Sequence, residues 1–170
     1  MIPDAYYKDI YSIKYNRLKK LGYKYIFLDL DNTMIKYYSN EIPKELYDLI
    51  ELLKVNFKVF IFSNSRSKRV KNISKELGIS AYYFSKKPLK KSYKIIKNIF
   101  DYRKCIFIGD QFMTDVLGAK RSNMKVIFVD KLDIKEPITT KFWRFFEKIK
   151  LKRLKKKNKF ELYSYYDNLI

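Results

Sequence analysis

Residues 25–33, Tyr25-Ile26-Phe27-Leu28-Asp29-Leu30-Asp31-Asn32-Thr33, carry an apolar run straight into two carboxylates spaced two residues apart. Tyr25 to Leu28 has the length and the aromatic and β-branched content of a strand buried on both faces, the kind found in parallel sheets. In open α/β sheets ligands bind beyond the carboxyl ends of the strands, so acids at that end are placed for a site rather than for packing. Taken alone, the run reads equally well as a strand followed by a solvated turn, because Asp and Asn are common turn formers.

Three further stretches shift that balance. Val59 to Phe62 ends on Ser63-Asn64-Ser65, again polar groups where a buried strand opens out. Lys86-Lys87-Pro88 sets a cation before a helix-compatible start. Cys105 to Ile108 ends on Gly109-Asp110, with Thr114-Asp115 just beyond. Acid, hydroxyl, lysine and acid thus follow in order, three of the four at strand ends. In that order and spacing the chain resembles the haloacid dehalogenase (HAD) superfamily of phosphotransferases, whose four motifs are DxDxT, a Ser or Thr, a Lys, and GDxxxxD or a near variant.

The resemblance narrows further. Pro3-Asp4-Ala5-Tyr6, the DLDNT form of the first motif, Ser63-Asn64 followed by Arg69-Val70, Lys87-Pro88-Leu89, the string GDQFMTDVLGAKRSNM from Gly109 to Met124, and Thr140 with Arg144 and Glu147 are similar to the subclass III-A phosphatidylglycerophosphate phosphatase branch. The likeness runs to about Ile149. Ser65 departs from it, since the branch usually has Asn there, and the lysine-rich segment beyond Ile149 lies outside it.

Composition bounds the alternatives. At 170 residues the chain fits one domain with a proper core and leaves no room for a second. The division expected is a HAD-like phosphatase domain over residues 1–149, including an N-terminal lead-in helix, and a basic C-terminal tail over 150–170. The absence of histidine excludes His-based catalysis and His metal sites. The one cysteine, Cys105, sits inside an apolar run, reads as a small core hydrophobe rather than a nucleophile, and suits a reducing compartment. No apolar segment approaches the roughly 18 residues needed to span a bilayer, and no signal-peptide core is present at the N-terminus. The expected location is cytoplasmic, soluble or peripheral at the inner face of a membrane. The net charge of +20 invites phosphate-rich partners, although Lys, Asn, Ile, Tyr and Phe are abundant throughout, as an AT-rich genome imposes. The basic excess is concentrated, however: Lys141 to Lys159 holds ten basic residues and one acid, Glu147.

Periodicity places the remaining elements. Tyr6, Tyr7, Ile10, Tyr11 and Leu18 predict a lead-in helix between Pro3 and Lys20, closed by Gly22. Pro43 opens a helix with a stripe of Leu46, Leu49, Ile50 and Leu53. Strands are expected at Lys24–Leu30, Lys58–Phe62, Ala81–Phe84, Lys104–Ile108 and Lys125–Val129. Helices are expected at Lys68–Leu77, at Leu89–Phe100 with Ile95, Ile96 and Ile99 inward, and near Asp115–Arg121. The alternation predicts βαβ units, and with the resemblance an α/β Rossmann-like three-layer sandwich around a parallel five-stranded sheet. Superfamily cap domains are inserted between Thr33 and Ser63 or between Ser63 and Lys87. Here both intervals are used up by a helix and a strand, so a capless HAD fold is expected, open to a large substrate, a membrane lipid or a neighbouring subunit.

By resemblance, Asp29 is the nucleophile that forms an aspartyl-phosphate and Asp31 the acid/base. Ser63 binds the phosphoryl oxygens, Thr33 and Asn64 support substrate binding and the loops, and Lys87 neutralises charge, with Lys86 its rival. Asp29, Asp110 and the Asp31 carbonyl surround Mg²⁺, an oxygen-seeking cation, and Asp115 is a supporting or additional acid. The substrate implied is a phosphorylated compound, an anionic phospholipid head group foremost; a phosphorylated nucleic-acid end or a soluble ester is the alternative. A non-enzymatic phosphate-binding scaffold is a third reading, disfavoured by the intact acids. No specific nucleic-acid motif is found. If residues 140–157 form a helix, Phe142, Phe145, Phe146 and Ile149 share a face with Trp143 at its edge. That face either lies in an anionic membrane interface or packs on the sheet beneath a solvated basic extension.

Overall fold

Alternate residues of four apolar runs sort to opposite faces of one sheet, aliphatic side chains on one side and mostly aromatic ones on the other. The computed structural model describes residues 1–170 apart from 66, 84 and 135–137, and apart from the side chains of 67 and 138–143. In β2 (Tyr25–Leu28), Ile26 and Leu28 join an aliphatic layer while Phe27 faces the other way. In β3 (Lys58–Phe62), Val59 and Ile61 oppose Phe60 and Phe62. In β5 (Cys105–Gly109), Ile106 and Ile108 oppose Cys105 and Phe107, and in β6 (Lys125–Val129), Ile127 and Val129 oppose Val126 and Phe128. This is the two-residue period of a strand buried on both faces.

Helices cover both layers. On the aliphatic side lie α1 (Tyr15–Lys20), α2 (Lys44–Lys54) and α3 (Ser67–Glu76), which contribute Leu18, then Leu46, Ile50 and Leu53, then Val70 and Ile73. On the aromatic side lie α4 (Lys90–Ile99), α5 (Leu117–Arg121) and α6 (Ile138–Lys156), which contribute Tyr93 and Ile96, then Ala119, then Leu154. Burying each of these large side chains is worth roughly 1.5–3 kcal/mol. Phe27 stacks on Phe60 at 4.9 Å, and Phe107 meets Phe62 and Tyr93 at 5.7 and 5.6 Å.

The sheet has seven strands where five are read from the sequence, in the order β4-β3-β2-β5-β6-β1-β7, with β4 at Ser80–Tyr82. All pair in parallel except the last. The additions sit at one edge: β1 (Ala5–Tyr7) runs beside β6, and β7 (Tyr166–Asp167) returns antiparallel beside β1. The predicted lead-in helix from Pro3 to Lys20 is therefore corrected to a strand, a single turn at Ile10–Ser12 and the short α1. Ala5 and Tyr6 are fully buried on opposite faces, which a helix cannot achieve for neighbouring residues.

Packing corrects one further expectation, on α4, and sets aside one of the two alternatives for α6, the packing of its Phe face on the sheet. On α4, Ile96 points inward but Ile95 and Ile99 are exposed, and Ser92 and Tyr93 complete the buried face. On α6, Phe145, Phe146 and Ile149 are exposed, while Glu147 and Leu154 face the sheet. Thr140, Phe142 and Trp143 have side chains outside the described residues. Residues 150–170 place Leu154, Phe160 and Leu169 in the core and supply β7.

Candidate active site

Three strands end on the same edge of the sheet, and each hands over one polar residue: Asp29 after β2, Ser63 after β3 and Asp110 after β5. The Asp29 amide donates to the Ile108 carbonyl at 2.9 Å, carrying the β2–β5 ladder into the site. The chain then turns tightly, with the Asn32 amide donating to the Ile35 carbonyl at 2.7 Å and Asn32 at φ 63°. That left-handed backbone costs most L residues energy and Asn least, which accounts for Asn32 between Asp31 and Thr33. Thr33 Oγ1 donates to Asp110 Oδ1 at 3.0 Å and accepts from the Asp110 amide at 3.1 Å, so it ties the first and last motifs together.

Lys87 occupies the centre. Its Nζ lies 2.6 Å from Asp29 Oδ1, 2.7 Å from Asp115 Oδ1 and 5.3 Å from the centre of the Phe107 ring. Lys86 is exposed, so of the two rival lysines Lys87 enters the site. Asn64 fixes the loop that carries it: Oδ1 accepts from the Lys87 amide at 2.8 Å and from Ser85 Oγ at 2.7 Å, and Nδ2 donates to the Lys87 carbonyl at 3.2 Å. The Asn64 amide is thereby committed to the loop. Asp115, fully buried, also accepts from the Gln111 amide at 3.0 Å. A Cβ on Gly109 would stand 2.5 Å from Asp115 Cγ, so only glycine lets this acid pack against the end of β5.

The Asp31 carboxylate turns another way. Arg69 Nη1 lies 2.5 Å from one oxygen and Ser65 Oγ donates to the other. Arg69 is itself anchored on the Ser39 carbonyl through Nε at 3.0 Å and Nη2 at 2.8 Å. Ser63, almost fully buried, accepts from the Ser65 amide at 3.1 Å. From the far side, Arg144 donates through Nη1 to the Asp110 carbonyl at 2.9 Å and to Glu147 Oε1 at 2.7 Å, and through Nη2 to the Asp110 carboxylate. Glu147 Oε2 accepts from the Phe112 amide at 2.8 Å.

Asp29, Asp110 and Asp115 present oxygens within 4.8 Å of one another. Asp31 is not part of this trio; its side chain is held by Arg69 and Ser65. With Glu147, four buried carboxylates are met by the buried Lys87 and the partly buried Arg144. Among the described residues, that leaves two more carboxylates than cations. Burial, reinforced by Asp115, Asp110 and Asp31 and opposed by Lys87, pushes the Asp29 carboxyl well above its ordinary range. Burial lifts Asp110 to about 6 despite Arg144. Burial works to lower the Lys87 ammonium, but Asp115 and Asp29 outweigh it and hold Lys87 above its ordinary value. A buried, oxygen-only donor set with this excess of carboxylates fits a hard divalent cation.

A cavity of about 250 Å³ opens over these groups, lined by Asp29, Asp31, Ser63 and Lys87. It is also lined by Tyr37, Ser65, Gln111 and Thr114, which the sequence reading assigns no role. Gln111 and Thr114 lie inside the quoted GDQFMTD string and were legible there; Tyr37 is one of 16 tyrosines and carries no such signal. Cys105 is fully buried away from the cavity, and burial pushes its thiol up to about 12, which rules out a ready thiolate.

The chain is similar to known proteins. A family model described as mitochondrial PGP phosphatase matches residues 1–133. A Bacillus subtilis protein named probable phosphatase YqeG is 35% identical over 159 residues, 92% of this chain and 92% of that protein. An Arabidopsis thaliana phosphatidylglycerophosphate phosphatase 1, chloroplastic/mitochondrial, is 28% identical over 90% of this chain, which spans 48% of that protein. A HAD-like family hydrolase from Porphyromonas gingivalis superposes with a TM-score of 0.51 at 13% identity, covering 72% of this chain and 98% of that one, a likeness of fold alone.

Proposed function

The chain belongs to the family described as mitochondrial PGP phosphatase, within the HAD superfamily, and from that premise we propose that this phosphatase is a Mg²⁺-dependent phosphomonoesterase acting on phosphatidylglycerophosphate. The observation that carries the reading is the convergence of Asp29, Asp110, Asp115 and Lys87 at one strand edge, within hydrogen-bonding or ligand distance of one another.

In this reading Asp29 attacks the phosphorus of the monoester and the bond to the lipid oxygen breaks. Asp31 gives its proton to the leaving oxygen. Its carboxylate then takes a proton from water, whose oxygen attacks the aspartyl-phosphate and frees inorganic phosphate and Asp29. Ser63 and the amides after β3 hold the phosphoryl oxygens. Lys87 offsets the charge that gathers between them and Asp29. The Asn64 side chain keeps Lys87 in place, and Thr33 keeps Asp110 in place. Asp29, Asp110 and the Asp31 carbonyl would hold Mg²⁺, and Asp115 would support them. The ion, when bound, neutralises phosphate charge.

Three facts support a lipid monoester. One relative bears that activity in its name. Among the described residues no inserted cap domain covers the cavity, which suits a head group presented at a surface. The basic excess beyond residue 140 suits an anionic partner and peripheral contact with a membrane. Among the described residues no helix is long and apolar enough to cross a membrane.

The test is phosphate release from phosphatidylglycerophosphate vesicles, phosphorylated oligonucleotides and soluble esters, with Mg²⁺ or chelator. Release greatest from the lipid, lost with chelator and lost in Asp29→Asn is the expected result. Preference for oligonucleotides or soluble esters overturns the substrate, and release that survives Asp29→Asn removes the nucleophile.

A further inference from the structure

The packed side of α6 carries Arg144, Glu147, Leu151 and Leu154. At 100° per residue the opposite side carries Phe145, Ile149 and Lys152, with Lys148 and Lys156 beside them. Phe145 is 61% exposed and Ile149 37%, a costly display of apolar surface in the middle of a basic helix. Next to it, a groove of about 430 Å³ runs between α6 and the segment that follows. Its apolar lining is Leu151, Phe160, Leu162 and Tyr163, and its charged rim is Lys148, Lys152, Lys155 and Glu161. Leu162 and Tyr163 are themselves exposed. The two acids of this region are accounted for: Glu147 is buried against Arg144, and Glu161 pairs with Lys155 at 2.5 Å.

We infer that the outer face of α6 and residues 160–163 form a docking surface for an anionic lipid leaflet, with Phe145, Ile149 and Leu162 entering the head-group boundary and Lys148 and Lys152 holding lipid phosphates. Charge chooses this occupant. A second copy of the chain would bring the same lysines face to face, and a nucleic acid presents its phosphates outermost with no continuous apolar layer for Ile149 and Leu162 to enter. A leaflet supplies both an apolar boundary and a dense layer of anions. The surface adjoins the site through the chain itself, because Phe145 directly follows Arg144, whose guanidinium holds Asp110. The helix that would dock is thus the one that also holds Asp110. This deepens the lipid reading and rests on it for its purpose.

The experiment is vesicle co-sedimentation of the full-length Asp29→Asn chain, which binds without turning over, on phosphatidylcholine alone and on phosphatidylcholine with phosphatidylserine. Neither lipid is the proposed substrate or its product. Binding to the anionic vesicles alone is expected, about tenfold weaker in Phe145→Ser/Ile149→Ser and about fivefold weaker for each Lys→Gln change at 148 and 152. The same changes in the otherwise wild-type chain should leave hydrolysis of a soluble ester and the unfolding temperature unaltered. Leu162→Asp, an exposed change at another point of the surface, guards against misfolding as the cause. Equal binding by the variants, equal binding to neutral vesicles, tighter binding to duplex DNA, or a change of oligomeric state in the Phe145/Ile149 variant overturns the proposal. Lipid hydrolysis without vesicle docking would sink this inference and leave the proposed function standing; docking without lipid hydrolysis would do the reverse.

Discussion

Arg144 donates to the backbone carbonyl of Asp110 at 2.9 Å and also to its carboxylate, so the C-terminal helix α6 reaches the acid that follows β5. Glu147 completes the arrangement one turn along, bonded to Arg144 and to the Phe112 amide. Arg144→Met strands two carboxylates, and breaking a buried pair in this way costs about 3–5 kcal/mol. Denaturant melts should show that loss, with part of it recovered in Arg144→Met/Glu147→Gln. A melt unchanged by the single substitution would contradict a structural role for the pair.

The excess of carboxylates around Asp29, Asp110 and Asp115 predicts metal-linked stability. Mg²⁺ at about a hundredfold over its dissociation constant should stabilise the fold by about 2.7 kcal/mol, read as a rise in unfolding temperature. Asp110→Asn should abolish the rise.

The same cluster predicts an unusual pH dependence in chelator. Asp110 titrates near 6 in the fold against an ordinary 3.8, and Asp29 is raised as well. A raised carboxyl favours the folded state while protonated, so its contribution is complete below about 4 and is lost as pH rises through 6. Chelator-treated protein should lose stability between pH 4 and 6, and saturating Mg²⁺ should flatten the slope. A slope of the opposite sign would disprove the charge excess.

Asn64 spends its side chain on the loop of Lys87 rather than facing the cavity alone. Asn64→Ala should lower kcat by roughly the 10²-fold typical of losing a positioned charge, with KM little changed. Lys87→Met should lower it further. A KM effect with kcat intact would move Asn64 to substrate contact.

Residues 1–170 are proposed to fold as one unit, since Leu154, Phe160 and Leu169 are buried and β7 closes the sheet edge. Truncation after Ile149 removes three core side chains worth roughly 1.5–3 kcal/mol each, comparable with a whole domain's margin of about 5–15 kcal/mol. The truncated chain should lose its cooperative melt.

The strand runs YIFL, VFIF, CIFI and VIFV, each ending at or near a polar group, were enough to fix the parallel centre of the sheet and the residues at its edge, because both buried faces leave a continuous apolar signal. The order of Asp29, Ser63, Lys87 and Asp110 carried the family for the same local reason. Strands of two and three residues carry no readable period, so β1 and β7 were settled only by the neighbours they meet. Tertiary contact alone separated Lys87 from Lys86, turned Ile95 and Ile99 outward and put Glu147 where an apolar stripe favoured phenylalanines. Sequence pattern reports how a segment divides its own faces. It is the far partner, Asp29 for Lys87 and Asp110 for Arg144, that decides which face is buried when several would serve.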